Sequence, residues 1–387
     1  MSGGNPKVYK YKSLRRVVGR LRDDLRDSGN GGHDFVLLFA YNGTGKTRLS
    51  MEFKEVGKRS KGIERDTLYF NAFTEDLFAW DNDLENDVER TLRINSDSKF
   101  FNGFKELSLE EKIFTYLERY ATFNFKIDYE NWKVVFSKEI DNPRFRQGPQ
   151  EPEKTIQDNI KVSRGEENIF IWCVFLAICE LVLDSEEAYA WVKYFYIDDP
   201  ISSLDDNNTI AVATDLAKLL KRGKGRVKTV ISSHHSLFFN VMHNELKKTS
   251  YKSYFFYGKS GKSSYTLQAT DDTPFFHHVA MLSELQQASE SGRLYTHHFN
   301  TLRNILEKTA AFLGHDDFSE CLNKQDESLH ARAVNLLSHG NYSVFEPKEM
   351  VDDNKKLFKN ILTTFLQRYQ FALPNIFPEE TTQRSQP

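Results

Sequence analysis

The stretch FVLLFAYNGTGKTRLS, residues 35–50, constrains this chain more than any other. An apolar run leads into a glycine-rich turn, and the turn opens a helix with Lys46 and Thr47. This order predicts a strand, a phosphate-binding loop and a helix. Backbone N–H groups of such a turn and of the helix N-terminus converge on one point, where the helix dipole favours an anion. Asn42, Gly43, Thr44 and Gly45 form the cradle, with the glycines letting the backbone come close. Lys46 reaches the outer phosphates, and the Thr47 hydroxyl is a ligand for Mg²⁺. The usual G-x-x-x-x-G-K-[ST] pattern has glycine where Ala40 stands, and alanine is small enough for a strand end.

A length of 387 residues suggests two or three domains, and 39% apolar with 28% charged residues reads as an ordinary soluble chain. Cys173, Cys179 and Cys321 show neither metal-ligand spacing nor an even disulfide framework, which favours a reducing, cytoplasmic compartment. The start MSGGNPKVYKYK has no apolar core of a secretion signal. The longest apolar run, residues 169–179, ends at Glu180. A membrane span needs about 20 such residues, so this run is expected to be a buried helix and no membrane association is expected. The net charge of −3 does not advertise nucleic-acid binding.

Along the chain, SLRRVVGRLRDDLRDS reads as a charged helix presenting a solvated face, with no chemistry assigned. After the phosphate loop come the strand TLYFNAF, the aromatic and acidic mixture EDLFAWDNDL, further helical and strand-like material, and the loop NPRFRQGPQEPEK. Then follow VSRGEENIF, the apolar helix, the strand VKYFYIDDP, a helix to Lys221, the strand RVKTVISSHHS and the hairpin YKSYFFYGKSGKSSYTLQ. An α/β nucleotide-binding domain over residues 1–268 and a mostly α-helical domain over 269–387 are expected. Residues 265–387 hold 11 Lys or Arg against 16 Asp or Glu, and seven of the 11 histidines lie there. That shift marks the boundary and invites an acid–base reading of the second domain.

YFYIDDP is an apolar strand ending in two carboxylates. This is where a P-loop enzyme holds the Mg²⁺ water shell (Asp198) and orients the attacking water (Asp199). DDPISSLD resembles the joined Walker B and D-loop of the ABC ATPase class, and VSRGE resembles its signature loop, with Ser163 and Gly165 retained. His234 stands at the class's switch position. The resemblance implies that GTP or ATP is sandwiched with Mg²⁺ between two heads, giving a head-to-head dimer or a higher homo-oligomer. Asp199 replaces the usual glutamate, and the expected consequence is slow turnover suited to a switch.

In FNTLRNILEKTAAFLG, apolar positions Leu302, Ile305, Leu306, Thr309 and Leu313 mark one helix face, Gly314 marks its end, and Arg303 and Glu307 lie four apart at its flank. An arbitrary pair at this spacing is a surface ion pair, and His339 in NLLSHGN would alone be a core or surface histidine. Brought together, the three types make a metal-independent ribonuclease. A carboxylate takes the proton from a ribose 2′-OH, an imidazolium protonates the leaving 5′-oxygen, and a guanidinium holds the phosphorane.

AYNGTGKTRLS, NAFTEDLFAWDNDL, SRGEENIFIW, IDDPISSLDDN, HFNTLRNILEKTAAFLG and NLLSHGN together resemble the PrrC family of anticodon nucleases of bacterial antiphage defence, along nearly the whole chain. The resemblance implies an ABC-type NTPase head regulating a C-terminal nuclease whose Arg303, Glu307 and His339 cut lysine tRNA 5′ to the wobble base. It also implies a latent protein held by a type I DNA restriction-modification complex and released indirectly by a phage-encoded peptide. GTP hydrolysis then activates it and dTTP stabilises it. The family reads the wobble base partly with an acidic residue; the ungapped equivalent here is Thr270, with Asp271 and Asp272 adjacent. The second domain is also similar to the helical HEPN ribonucleases, without their strict Arg and His motif. Two other readings are an SMC-like or DNA-repair ATPase head, which would carry a long coiled coil between residues 57 and 160, and an NTP-sensing, partner-binding module without nuclease activity.

Overall fold

The computed structural model describes residues 7–26, 32–58, 66–71, 77–81, 91–98, 101, 109–141, 154–201, 204–223, 225–258, 264–270, 276–322 and 349–369. The chain divides into two compact units, Met1–Asp271 and Asp272–Pro387.

The first unit is built on strand β2 (Phe35–Phe39), whose residues are all buried. A continuous apolar run of this kind suits a strand covered on both faces. With β1 (Val8–Tyr11), β3 (Thr67–Asn71), β9 (Tyr194–Asp198), β10 (Lys228–Ser233), β11 (Tyr251–Gly258) and β12 (Tyr265–Ala269), it forms a seven-stranded sheet in the order β1-β12-β11-β2-β10-β9-β3. From β11 to β3 all pairings are parallel. The expected hairpin is present, β11 and β12 pairing antiparallel. The strand-end segments Ala40–Gly45, Asp198–Asp199 and His234 therefore share the carboxyl edge of a parallel sheet, where open α/β folds bind ligands.

Alternation along the strands sorts the two faces. Val36, Leu38, Tyr196, Val230, Tyr254, Phe256 and Leu267 share a core with helices α1 (Leu14–Leu25) and α2 (Lys46–Lys58). On the other face Phe70 packs against Trp172 and Phe175 of α4 (Arg164–Leu183), and Phe39 against Phe239 of α6 (Ser236–Leu246). The helix expected to be buried is so, residues 169–179 of α4 being at most 6% exposed. Beside it runs α5 (Asp206–Arg222), capped by Asp205. The charged N-terminal helix departs from expectation. Its Val17, Val18, Leu21 and Leu25 are buried on the sheet, and only the opposite side is solvated. Even Arg22 is buried: it makes two bonds to Asp66 (2.8 and 3.1 Å) and one to the Phe53 carbonyl (2.8 Å), with its guanidinium over the Phe53 and Tyr194 rings.

Between β3 and α4 the described residues form a second sheet rather than a coiled coil. Strands β4 (Phe78–Asp81), β5 (Thr91–Ile94), β6 (Phe123–Asp128), β7 (Lys133–Asp141) and β8 (Lys154–Gln157) pair antiparallel, with α3 (Leu109–Leu117) alongside α4. Phe170 of α4 anchors this sheet, meeting Phe78, Phe125 and Phe136 edge-on at 5.1–6.4 Å between ring centres. The stretch expected as a loop at residues 142–153 lies outside the described residues.

The described part of the second unit is helical: α7 (Phe276–Glu290), α8 (His297–Leu313) and α9 (Asp352–Tyr369), with a short 3₁₀ turn at Phe318–Cys321. Leu302, Ile305 and Leu306 of α8 join Leu282 and Leu285 of α7 and Phe358 and Leu362 of α9 in one core. Gly314 ends α8 in the left-handed conformation at φ 74°, as expected of that glycine. Leu313, expected on the buried face, is 44% exposed at the last turn. Among the described residues no helix is long and apolar enough to cross a membrane. Cys173, Cys179 and Cys321 are buried free thiols.

Candidate nucleotide site and nuclease residues

The loop between β2 and α2 has the backbone its sequence predicts. Gly43 and Gly45 have φ of 81° and 96°, values L side chains rarely adopt, and a Cβ at either would meet nothing within 4 Å, so the cradle is open. The Thr44 hydroxyl donates to the Tyr41 carbonyl at 2.7 Å and closes the turn. Ala40 is fully buried and its N–H donates to the Ser233 carbonyl at 3.0 Å, which ties the loop to β10. Helix α2 begins at Lys46, so its first N–H groups have no partner within the helix.

Lys46 contacts two other predicted residues. Its ammonium donates to Asn42 Oδ1 at 3.2 Å and pairs with Asp199 Oδ2 at 2.9 Å. The other oxygen of Asp199 accepts both the backbone N–H of His234 and its Nδ1, each at 2.8 Å. One carboxylate thereby joins the phosphate loop, the end of β9 and the residue after β10. Burial pushes the Asp199 carboxyl up, but the His234 hydrogen bonds and the Lys46 charge outweigh it and hold it below the usual range. Asp199 also has φ 45°. Aspartate tolerates that left-handed region better than most side chains, a local reason for the shorter acid at this position.

Asp198 is 1% exposed. In the sheet it stands between Asn71 of β3 and Ser232 of β10. Ser232 Oγ donates to its Oδ1 at 2.6 Å, while Ser50 Oγ and Asn71 Nδ2 approach its Oδ2 at 3.3 and 3.4 Å. Burial raises its carboxyl above the usual range, and the neighbouring Asp199 adds to the shift. These residues fit a Mg²⁺–nucleotide: an open anion cradle, one ammonium, an exposed Thr47 at the helix start, and a fixed carboxylate beneath it. Among the described residues no group of three His, Cys, Asp or Glu is arranged to hold a metal by itself. Mg²⁺ in such sites takes most of its ligands from phosphate and water.

Ser163 and Gly165 stand at the start of α4. Ser163 is its N-cap, in a reciprocal box where its hydroxyl accepts the Glu166 N–H and the Glu166 carboxylate accepts the Ser163 N–H at 2.8 Å.

Three participants were not legible beforehand. Asn71, the first residue of NAFTEDLFAWDNDL, and Ser50, one turn into α2, both reach Asp198 from distant parts of the chain. Gly258 ends β11 against the phosphate loop, and a Cβ there would lie 2.5 Å from the Thr44 carbonyl oxygen.

In the second unit Arg303 and Glu307 meet on the outer side of α8, Nε to Oε1 at 2.7 Å, with side chains 38% and 46% exposed. The Arg303 guanidinium also lies 5.8 Å from the centre of the Phe318 ring. His339, Asp271 and Asp272 lie outside the described residues. Thr270 is buried, its hydroxyl 2.8 Å from Ser253 Oγ.

The family model described as an AAA domain matches residues 152–367. A protein of Escherichia coli described as an anticodon nuclease is 36% identical over 357 residues, covering 80% of this chain and 84% of that one. A solved structure, an SMC head bound to the C-winged helix domain of ScpA, is similar at 11% identity and a TM-score of 0.26, covering 61% of this chain and 90% of that one. On the length and identity of the E. coli match, this chain belongs to the anticodon nuclease family, with an AAA domain.

Proposed function

We propose that the chain is an NTP-regulated tRNA anticodon endoribonuclease of antiphage defence that cuts lysine tRNA 5′ to the wobble base and leaves a 2′,3′-cyclic phosphate and a 5′-OH. The observation that carries the reading is the identity to the E. coli anticodon nuclease over most of both chains. The accessible Arg303–Glu307 pair on α8 supports it, since catalytic groups for a macromolecular substrate must be reachable. In this reading Glu307 is the base for the 2′-OH, His339 the acid for the leaving 5′-oxygen, and Arg303 the clamp on the phosphorane, with no metal at the nuclease site. The helical make-up of the described part of the second unit supports a HEPN-like ribonuclease, and Asp271 or Asp272 contacts the anticodon.

The first unit is the regulator. GTP or ATP binds with Mg²⁺ at the loop 42–47, Asp198 holds the Mg²⁺ waters, Asp199 orients the attacking water, and His234 senses the γ-phosphate. As in the ABC class, Ser163 and Gly165 of one chain face the nucleotide of another, so the active particle is a head-to-head dimer or larger. dTTP stabilises the active form. A type I restriction-modification complex keeps the protein latent in the cytoplasm until a phage-encoded peptide acts on that complex. The reading is tested by mapping RNA ends in cells expressing the protein. New 5′-OH ends inside the lysine tRNA anticodon are expected; expression that is toxic without new tRNA ends would overturn the reading.

A further inference from the structure

We infer that Tyr69 and Ser50 are positioning residues that fix the carboxylate of Asp198 toward Mg²⁺, an inference that rests on the nucleotide-site reading above. The two oxygens of Asp198 are held differently. Oδ1 has one short bond from Ser232 at 2.6 Å. Among the described residues, Oδ2 is approached by longer contacts, from Ser50 Oγ and Asn71 Nδ2. Both of those groups also meet the phenol of Tyr69, Asn71 Nδ2 donating to its oxygen at 3.0 Å and Ser50 Oγ lying 3.2 Å from it. The four groups close a ring around one carboxylate oxygen that is almost wholly out of water.

Proton counting shows what the phenol adds. A serine hydroxyl has one proton, and Ser50 faces three oxygens: the Thr47 carbonyl at 2.8 Å, Tyr69 at 3.2 Å and Asp198 at 3.3 Å. Tyr69 accepts from Asn71, so its own proton is free to go to Ser50 Oγ. The Ser50 proton is then left for Thr47 or Asp198, the two residues assigned to Mg²⁺. Ser50 thus couples the helix that presents the Thr47 hydroxyl to the strand that presents Asp198, and Tyr69 sets its orientation. Without the phenolic oxygen, Asn71 and Ser50 each lose a partner and Oδ2 loses its fixed donors. Groups that orient a metal's ligands in this way change metal affinity by about 10–100-fold when removed.

The substitution Tyr69→Phe removes the oxygen and keeps the ring, which packs near Tyr196 at 6.3 Å between centres. Ser50→Ala breaks the same ring from the other side. The experiment uses the full-length protein saturated with a non-hydrolysable GTP or ATP analogue and titrated with Mn²⁺, a paramagnetic probe for Mg²⁺ followed by electron paramagnetic resonance. Affinity for the fluorescent nucleotide in EDTA is measured in parallel. The expected result is Mn²⁺ affinity weakened about tenfold in both variants, with metal-free nucleotide affinity held near wild type. Mn²⁺ affinity unchanged in both variants overturns the inference, as does an equal loss of metal-free nucleotide binding, which would make the pair part of the pocket wall. A wild-type protein that binds neither nucleotide nor Mn²⁺ with it removes the nucleotide-site reading itself, and is told apart from the other outcomes by the wild-type titration alone.

Discussion

Lys46 Nζ lies 2.9 Å from Asp199 Oδ2, with the two side chains only 6% and 14% exposed. The cation that the nucleotide reading assigns to the phosphates is therefore already committed to a carboxylate, and a phosphate must compete for it. Asp199→Asn should bind nucleotide more tightly, by about tenfold if one partly buried charge contact of ~1.4 kcal/mol is released, while hydrolysis slows. Lys46→Ala should lose nucleotide-dependent activation and leave the second unit folded. Fluorescent-nucleotide titration and phosphate release check both; undiminished hydrolysis by Lys46→Ala would remove the assignment of the loop.

The pair of buried Arg22 and partly buried Asp66 predicts a pH-dependent contribution to stability. Burial would raise the Asp66 carboxyl, but the hydrogen bonds and charge of Arg22 and the Thr67 hydroxyl hold it below its usual 3.8. A carboxyl depressed in the folded state stabilises above its unfolded value, and that contribution fades as pH falls through the folded one. Asp66→Asn leaves the Arg22 charge unpaired and should cost about 3 kcal/mol at pH 7. The gap between variant and wild type in urea unfolding should narrow below pH ~4. A gap that does not change with pH would mean that Asp66 acts through shape rather than charge.

Gly258→Ala places a methyl group 2.5 Å from the Thr44 carbonyl oxygen and 3.0 Å from the Tyr265 ring. Strand β11 is held on both sides by β2 and β12, so the phosphate loop is the part that yields. The expected cost is about 1–3 kcal/mol of overpacking, with nucleotide affinity falling more than tenfold and the melting temperature dropping only a few degrees. Unchanged nucleotide affinity would show that the loop tolerates the shift.

Much of the first unit is legible in the sequence because its signals are local. A buried strand followed by glycines, Lys46 and Thr47, or the run ending at Asp198 and Asp199, needs no knowledge of the rest of the chain. Asn71 and Ser50 were invisible for the opposite reason: they reach Asp198 across 127 and 148 residues of sequence, and only the strand order brings them there. Gly258 likewise matters through one backbone approach. The second sheet escaped because β4, β5 and β8 are only four residues each, too short for alternation to stand out. The charges of helix α1 point to a solvated face, while Val17, Val18, Leu21 and Leu25 follow the helical spacing of its buried one. In the second unit, helix α8 and its end at Gly314 were readable from periodicity, and the Arg303–Glu307 contact follows from the four-residue spacing alone.

Arg303 is half-exposed and hydrogen-bonded through Nε to Glu307 at 2.7 Å. Arg303→Lys keeps the charge and loses the planar fork, so cleavage should fall by about 10²–10³-fold while tRNA affinity changes little. Single-turnover cutting and tRNA binding, measured side by side, separate these. A lysine variant that cuts at the wild-type rate would show that a point charge suffices there.

The most direct test of the proposed chemistry is end-group analysis of lysine tRNA cut by the preactivated protein in the presence of a divalent-metal chelator. If Glu307 activates the substrate's own 2′-OH and His339 protonates the leaving oxygen, the products carry a 2′,3′-cyclic phosphate and a 5′-OH. A tRNA with deoxyribose at the one nucleotide 5′ to the cut should then bind and stay intact. Ends bearing 5′-phosphate and 3′-OH, or cutting of the deoxyribose substrate, would mean that water is the nucleophile and would contradict the roles given to Arg303, Glu307 and His339.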